Sequence, residues 1–157
     1  MSDALQVAKG RWFDELAVGD TFGSTITITE THLVLGAGYV ADFNPLHVDE
    51  EFARKSRFGG RILHGMLTSA LMGGPVGMHF HGTAIAYLEH NARFLAPVRI
   101  GDTLTIAWSI ARLVAKPAHG GGIVEMTGTA RNQEGVIAAE ATGKIMVFVR
   151  DAQARGV

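Results

Sequence analysis

With 157 residues, 47% of them hydrophobic, the chain is long enough for one domain that buries roughly 70% of the surface its unfolded form exposes. The absence of cysteine excludes disulfides, a thiolate nucleophile and a thiolate-held metal, and agrees with a cytoplasmic location. A formal net charge of -1 offers no general field for nucleic acid or an anionic membrane, so an anionic ligand has to be held locally.

Residues 1–9 lack both a basic start and a long apolar run, which argues against a signal peptide, and they read as a disordered tail before a single domain over 10–150. Arg11 to Leu16 is an entry segment and Val18-Gly19-Asp20 a turn. Thr21 to Thr29, rich in β-branched residues with partial alternation, reads as a half-buried strand. Thr29 is placed to cap a helix from Glu30 to about Val40, with Leu33, Val34, Ala37 and Val40 on one face. That helix delivers Asp42 into the loop Asp42-Phe43-Asn44-Pro45-Leu46-His47, after which Asp49 caps a short helix through Arg54. Arg54, Lys55, Arg57 and Arg61 place four cations around Phe58-Gly59-Gly60, most simply a solvated loop, with a contact to ligand phosphates as the alternative.

No charged residue occurs from Ile62 to Leu88. A membrane span is the first thing such a run suggests, but five glycines, Pro75 and His64, His79 and His81 interrupt it, and a buried helix running into a strand explains it better. The helix is expected from Gly65 to about His79, with Met66, Leu67, Ala70, Leu71 and Met78 toward the core and Gly73-Gly74-Pro75 kinking or dividing it. Ala84 to Leu95, Thr103 to Ala115, Gly122 to Arg131 and Val136 to Arg150 read as long strands with short links, which favour antiparallel hairpins. The total, about five strands on one helix, is an α+β architecture. Asp151 to Val157 should fray. Trp12 and Trp108 read as packing residues, His79 and His81 as structural rather than metal-ligating, and His119-Gly120-Gly121-Gly122 as a turn lacking the lysine of a phosphate loop.

The chemistry concentrates in two places. Asp42, Asn44 and His47 set a carboxylate, an amide and an imidazole within six residues, around a proline that stiffens the turn. Ordinary values of about 3.9 for Asp and 6.5 for His suit an acid-base pair at neutral pH. Each residue alone also has a plain turn-forming role. Gly65, at the start of the central helix, could be there for close packing or to bring a backbone N–H to a developing negative charge.

Asp-x-Asn-Pro-x-His followed by His64-Gly65-Met66-Leu67 resembles the MaoC-like, (R)-specific enoyl-CoA hydratases, and the likeness runs from about Trp12 to Phe148. The resemblance implies the hot-dog fold, a long central helix wrapped by an antiparallel sheet. It implies a hydro-lyase that adds water to a trans-2-enoyl-CoA, with Asp42 and His47 as the catalytic pair on one water. Asn44 and Gly65 become the substrate-binding residues, Gly65 through its N–H to the thioester oxygen. Which of the pair protonates carbon stays open. Coenzyme A is then part of the substrate, with no metal or other cofactor, and the chain partners itself in a homodimer or a higher homo-oligomer. His64 reads as a hydrogen-bonded structural residue. Some relatives carry a serine where this chain has Gly73, which removes a hydroxyl from the expected pocket. The alternatives are a hot-dog thioesterase, disfavoured because no carboxylate lies between Gly65 and His79, and a non-catalytic acyl-thioester-binding or regulatory module.

Overall fold

The computed structural model describes residues 9–153. The tails expected at either end fall outside that range, apart from Lys9 and a last helical turn, α5 (Arg150–Gln153). A short 3-10 turn, Phe13–Glu15, leads into β1 (Thr21–Thr27) and α1 (Glu30–Val40). Two short helices follow, α2 (Pro45–Val48) and α3 (Glu50–Lys55), then the long α4 (Gly65–His79). Four strands complete the chain: β2 (Ala84–Phe94), β3 (Thr103–Lys116), β4 (Gly121–Arg131) and β5 (Ile137–Phe148). All pairings are antiparallel, in the order β1-β3-β4-β5-β2, and the sheet wraps α4 in the hot-dog arrangement.

Two links are the expected hairpins, β3 to β4 and β4 to β5. The strand that follows α4 does not pair with its successor: β2 lies on β5 at one edge of the sheet while β3 lies beside β1 near the other. Hydrophobic pattern fixes which face of a strand is buried but leaves the order of strands open, and this crossing had no signal in local sequence.

Every other residue of β3, from Leu104 through Ile106 and Trp108 to Ile110, is buried, as are Val124, Met126 and Ala130 of β4 and Ile145 and Val147 of β5. The α4 residues that meet this face are Thr68, Met72 and Val76, spaced at i, i+4 and i+8. Trp108 joins the two layers by donating its indole N–H to the Met72 carbonyl at 2.8 Å. This corrects the expected core face. Met66 and Met78 are 64% and 72% exposed, Ala70 is exposed, and Leu67 and Leu71 are only partly buried. Because α4 has no charged residue on any side, no amphipathic stripe marks which side meets the sheet. Nor does Gly73-Gly74-Pro75 divide the helix, which runs through a buried Pro75 to His79.

In α1 the buried residues are Leu33, Gly36 and Ala37, while Val34 is exposed. Gly36 is there because α1 closes on the start of α4: a Cβ at that position would lie 2.8 Å from the Leu67 side chain and 3.1 Å from His64 Nδ1. His79 is structural, its ring flat on Phe22 at 4.0 Å, and burial pushes its pKa down. No described helix is long and apolar enough to cross a membrane.

Candidate active site

The turn that ends α1 brings Asp42 out at an unusual backbone angle. Ala41 caps the helix at φ 55 and ψ 31, the one non-glycine residue with positive φ among those described. Two residues later Asn44 becomes the N-cap of α2, its Oδ1 accepting from Leu46 N at 3.0 Å, with Pro45 occupying the first turn. The Asn44 N–H donates to Asp42 Oδ1, also at 3.0 Å. This amide residue therefore shapes the loop twice, fixing the carboxylate with its backbone and capping the helix that carries His47 with its side chain.

His47 is anchored from the other direction. The segment after the basic loop docks beside it, with Ile62 N donating to Leu46 O at 3.1 Å. His47 Nδ1 lies 2.7 Å from the Ile62 carbonyl. A carbonyl can only accept, so Nδ1 carries a hydrogen, and in the neutral ring Nε2 holds the lone pair. That Nε2 faces Asp42 Oδ2 at 3.8 Å. The imidazole side chain is 12% exposed and the carboxylate 48%, so the pair has one anchored member and one at the surface.

Beside the pair lies a cavity of about 280 Å³, lined by His47, Gly65, Thr68, Phe94, Arg57 and Phe58 among others. Asp42 and Asn44 are not part of its wall; Asp42 reaches it by way of His47. Gly65 is the first residue of α4, and His64 before it gives no side-chain cap, so first-turn amides are left for other acceptors. Close packing also needs this glycine, because a Cβ would come within 3.0 Å of the Phe94 ring.

The basic cluster separates into parts. Arg61 sends both terminal nitrogens to Glu30 at 2.8 Å and its Nε to Glu50 at 2.9 Å, tying α1 to α3 on either side of the loop from Asp42 to His47. Hydrogen bonds from Arg61 hold both carboxyls below their ordinary range and push the guanidinium further up. Arg54 pairs with Glu50 and Glu51. Arg57 lines the cavity and lies over Phe58.

Sequence reading did not single out Phe94 as a cavity wall or Arg61 as the tie between helices; both depend on contacts from distant segments. As for metals, Asp42, His47 and His64 each offer one ligand atom, all within 4.8 Å of one another. His64 already uses Nε2 on the Asp42 carbonyl.

Residues 16–147 match the model of the MaoC like domain. An (R)-specific enoyl-CoA hydratase from Rhodospirillum rubrum is 36% identical over 103 residues, 66% of this chain and 72% of that protein. Among solved structures, the R-hydratase PhaJ1 from Pseudomonas aeruginosa superposes with a TM-score of 0.81 at 30% identity, covering 90% of this chain and 88% of its own. A monoamine oxidase regulatory protein from Archaeoglobus gives the same TM-score at 29% identity, covering 92% and 99%.

Proposed function

Since the chain belongs to the MaoC-like domain family of hydratases and dehydratases, we propose that it adds water reversibly to a trans-2-enoyl-CoA to give an (R)-3-hydroxyacyl-CoA. The observation that carries this reading is the facing of two acceptors, His47 Nε2 and Asp42 Oδ2, 3.8 Å apart at the edge of a cavity that Gly65 also lines. Two acceptors cannot bond each other. One water satisfies both by donating a hydrogen to each at ~2.8 Å, and its lone pairs then point outward.

As that oxygen bonds to the β-carbon, one proton passes to the pair and the double-bond electrons move toward the thioester oxygen. The Gly65 N–H, aided by the positive end of α4, stabilises the enolate-like charge. A proton returned from the pair to the α-carbon completes the addition, so water is consumed whole and the site is restored. Asn44 Oδ1 is committed to Leu46, which leaves Nδ2 for any bond to substrate. Arg57 is the cation we assign to the thioester carrier. The reaction is redox-neutral and needs no cofactor beyond the coenzyme A of its substrate.

The same reading gives the chain a second copy as partner, in the cytoplasm. The edge strand β2 exposes Ile85, Tyr87 and Leu88, and its last residue, Phe94, walls the cavity. A mass of two 16.7 kDa chains in solution is expected.

Mixing the protein with crotonyl-CoA should bleach the conjugated enoyl absorbance without releasing free thiol. Asp42→Asn and His47→Gln should each lower turnover on the order of 1000-fold and leave thermal unfolding unchanged. Thiol release in place of hydration would favour a thioesterase, and no turnover with short, medium and long enoyl chains a binding or regulatory module.

A further inference from the structure

His64 takes no part in the reaction just proposed, yet both acid-base groups are tied to it. Its side chain is 1% exposed. Nε2 lies 2.9 Å from the Asp42 backbone carbonyl, so it must be the protonated nitrogen and donate there. The ring lies on that of His47, centroids 3.8 Å apart and planes 27° from parallel. The remaining nitrogen, Nδ1, is buried without a hydrogen-bond partner among the described residues, against Gly36 of α1. An unsatisfied buried polar atom costs about 1–3 kcal/mol. An apolar side chain would avoid that cost, so the imidazole serves through its other atoms.

What those atoms hold is a strained turn. Ala41, directly before Asp42, adopts the left-handed conformation that costs a residue with a Cβ about 1–2 kcal/mol. Such strain persists only where surrounding contacts over-determine it. Packing cannot hold Asp42, whose side chain is half exposed. The His64 bond restrains the carbonyl immediately after the strained residue. We infer that His64 is a positioning residue: its N–H fixes the backbone of Asp42 and its face fixes His47, which sets the distance between carboxylate and imidazole. The kinetic consequence rests on the hydration reading; the structural part does not.

Two variants separate the roles of ring and donor. His64→Phe keeps a flat ring beneath His47 and removes the N–H, while His64→Gln keeps an N–H at similar reach. With crotonyl-CoA, His64→Phe should lower kcat on the order of 100-fold, the scale of a 1 Å misplacement, with KM little changed, and His64→Gln should recover most of the loss. Hydrogen–deuterium exchange reads the positioning without any turnover. The Asn44 amide, bonded to Asp42 Oδ1, should exchange faster in His64→Phe but not in His64→Gln, while β3 to β5 stay protected in both. Wild-type kcat and wild-type Asn44 exchange in His64→Phe would overturn the inference, as would equal losses in both variants that follow their thermal midpoints. If the wild-type protein hydrates no enoyl thioester, the hydration reading fails and the exchange pattern alone decides this one.

Discussion

Partners in the sheet come from far along the chain: Trp108 pairs with Phe22 on one side and Gly128 on the other, and its indole reaches Met72. In the loop from Ala41 to Gly65 the bonds close over 2, 15 and at most 22 residues, from Asn44 to Asp42, His47 to Ile62 and His64 to Asp42. The sheet buries large apolar side chains, whereas α2 buries none. Stability and the geometry of the candidate site are thus carried by different parts, one by apolar area and the other by directional polar bonds. Substitutions in the sheet should change stability and spare chemistry, and substitutions in the loop the reverse.

Three variants test that division. Met72→Ala removes a fully buried side chain between α4 and the sheet and should destabilise by about 2–5 kcal/mol in urea unfolding, with kcat at 25 °C unchanged. A matching fall in kcat would join the two regions. Gly65→Ala acts where they meet, since its Cβ presses on Phe94 of β2. Turnover per unit KM with crotonyl-CoA should drop about 10-fold or more, while the unfolding midpoint moves little.

The smallest effect belongs to Arg61→Gln, which unties α1 from α3. Because Arg61 holds Glu30 and Glu50 below their ordinary 4.5, these carboxyls contribute stability that is present above that value. It is lost as pH falls through their lowered folded-state pKa values. The variant should therefore melt about 2–4 °C lower than wild type at pH 7. The two melting curves should converge once pH has fallen below the lowered folded-state pKa values of both carboxyls, and a gap that persists there would show that the arginine acts by packing.

Much of this division was legible in the residues. Thr29, Asp49 and the alternating strands placed α1, α3 and all five strands within a few residues, because caps and periodicity are local properties, and the uncharged run from Ile62 placed α4. The α2 helix went unpredicted although Asn44 and Pro45 are a cap and first-turn proline; at four residues it is too short to show a period. The buried face of α4 was not legible, since a helix apolar all round takes its orientation from the sheet it meets. For the site, the motif brought Asp42 and His47 into one loop. The carbonyl of Ile62, the ring of His64 and the wall at Phe94 come from distant segments and had no local signature.

The most direct measurement is a double-mutant cycle on crotonyl-CoA hydration with Asp42→Asn, His47→Gln and the two combined. Groups that share one water fail together, so the double variant should be no slower than the slower single variant. Losses that multiply would mean that the carboxylate and the imidazole work independently, and would contradict the account.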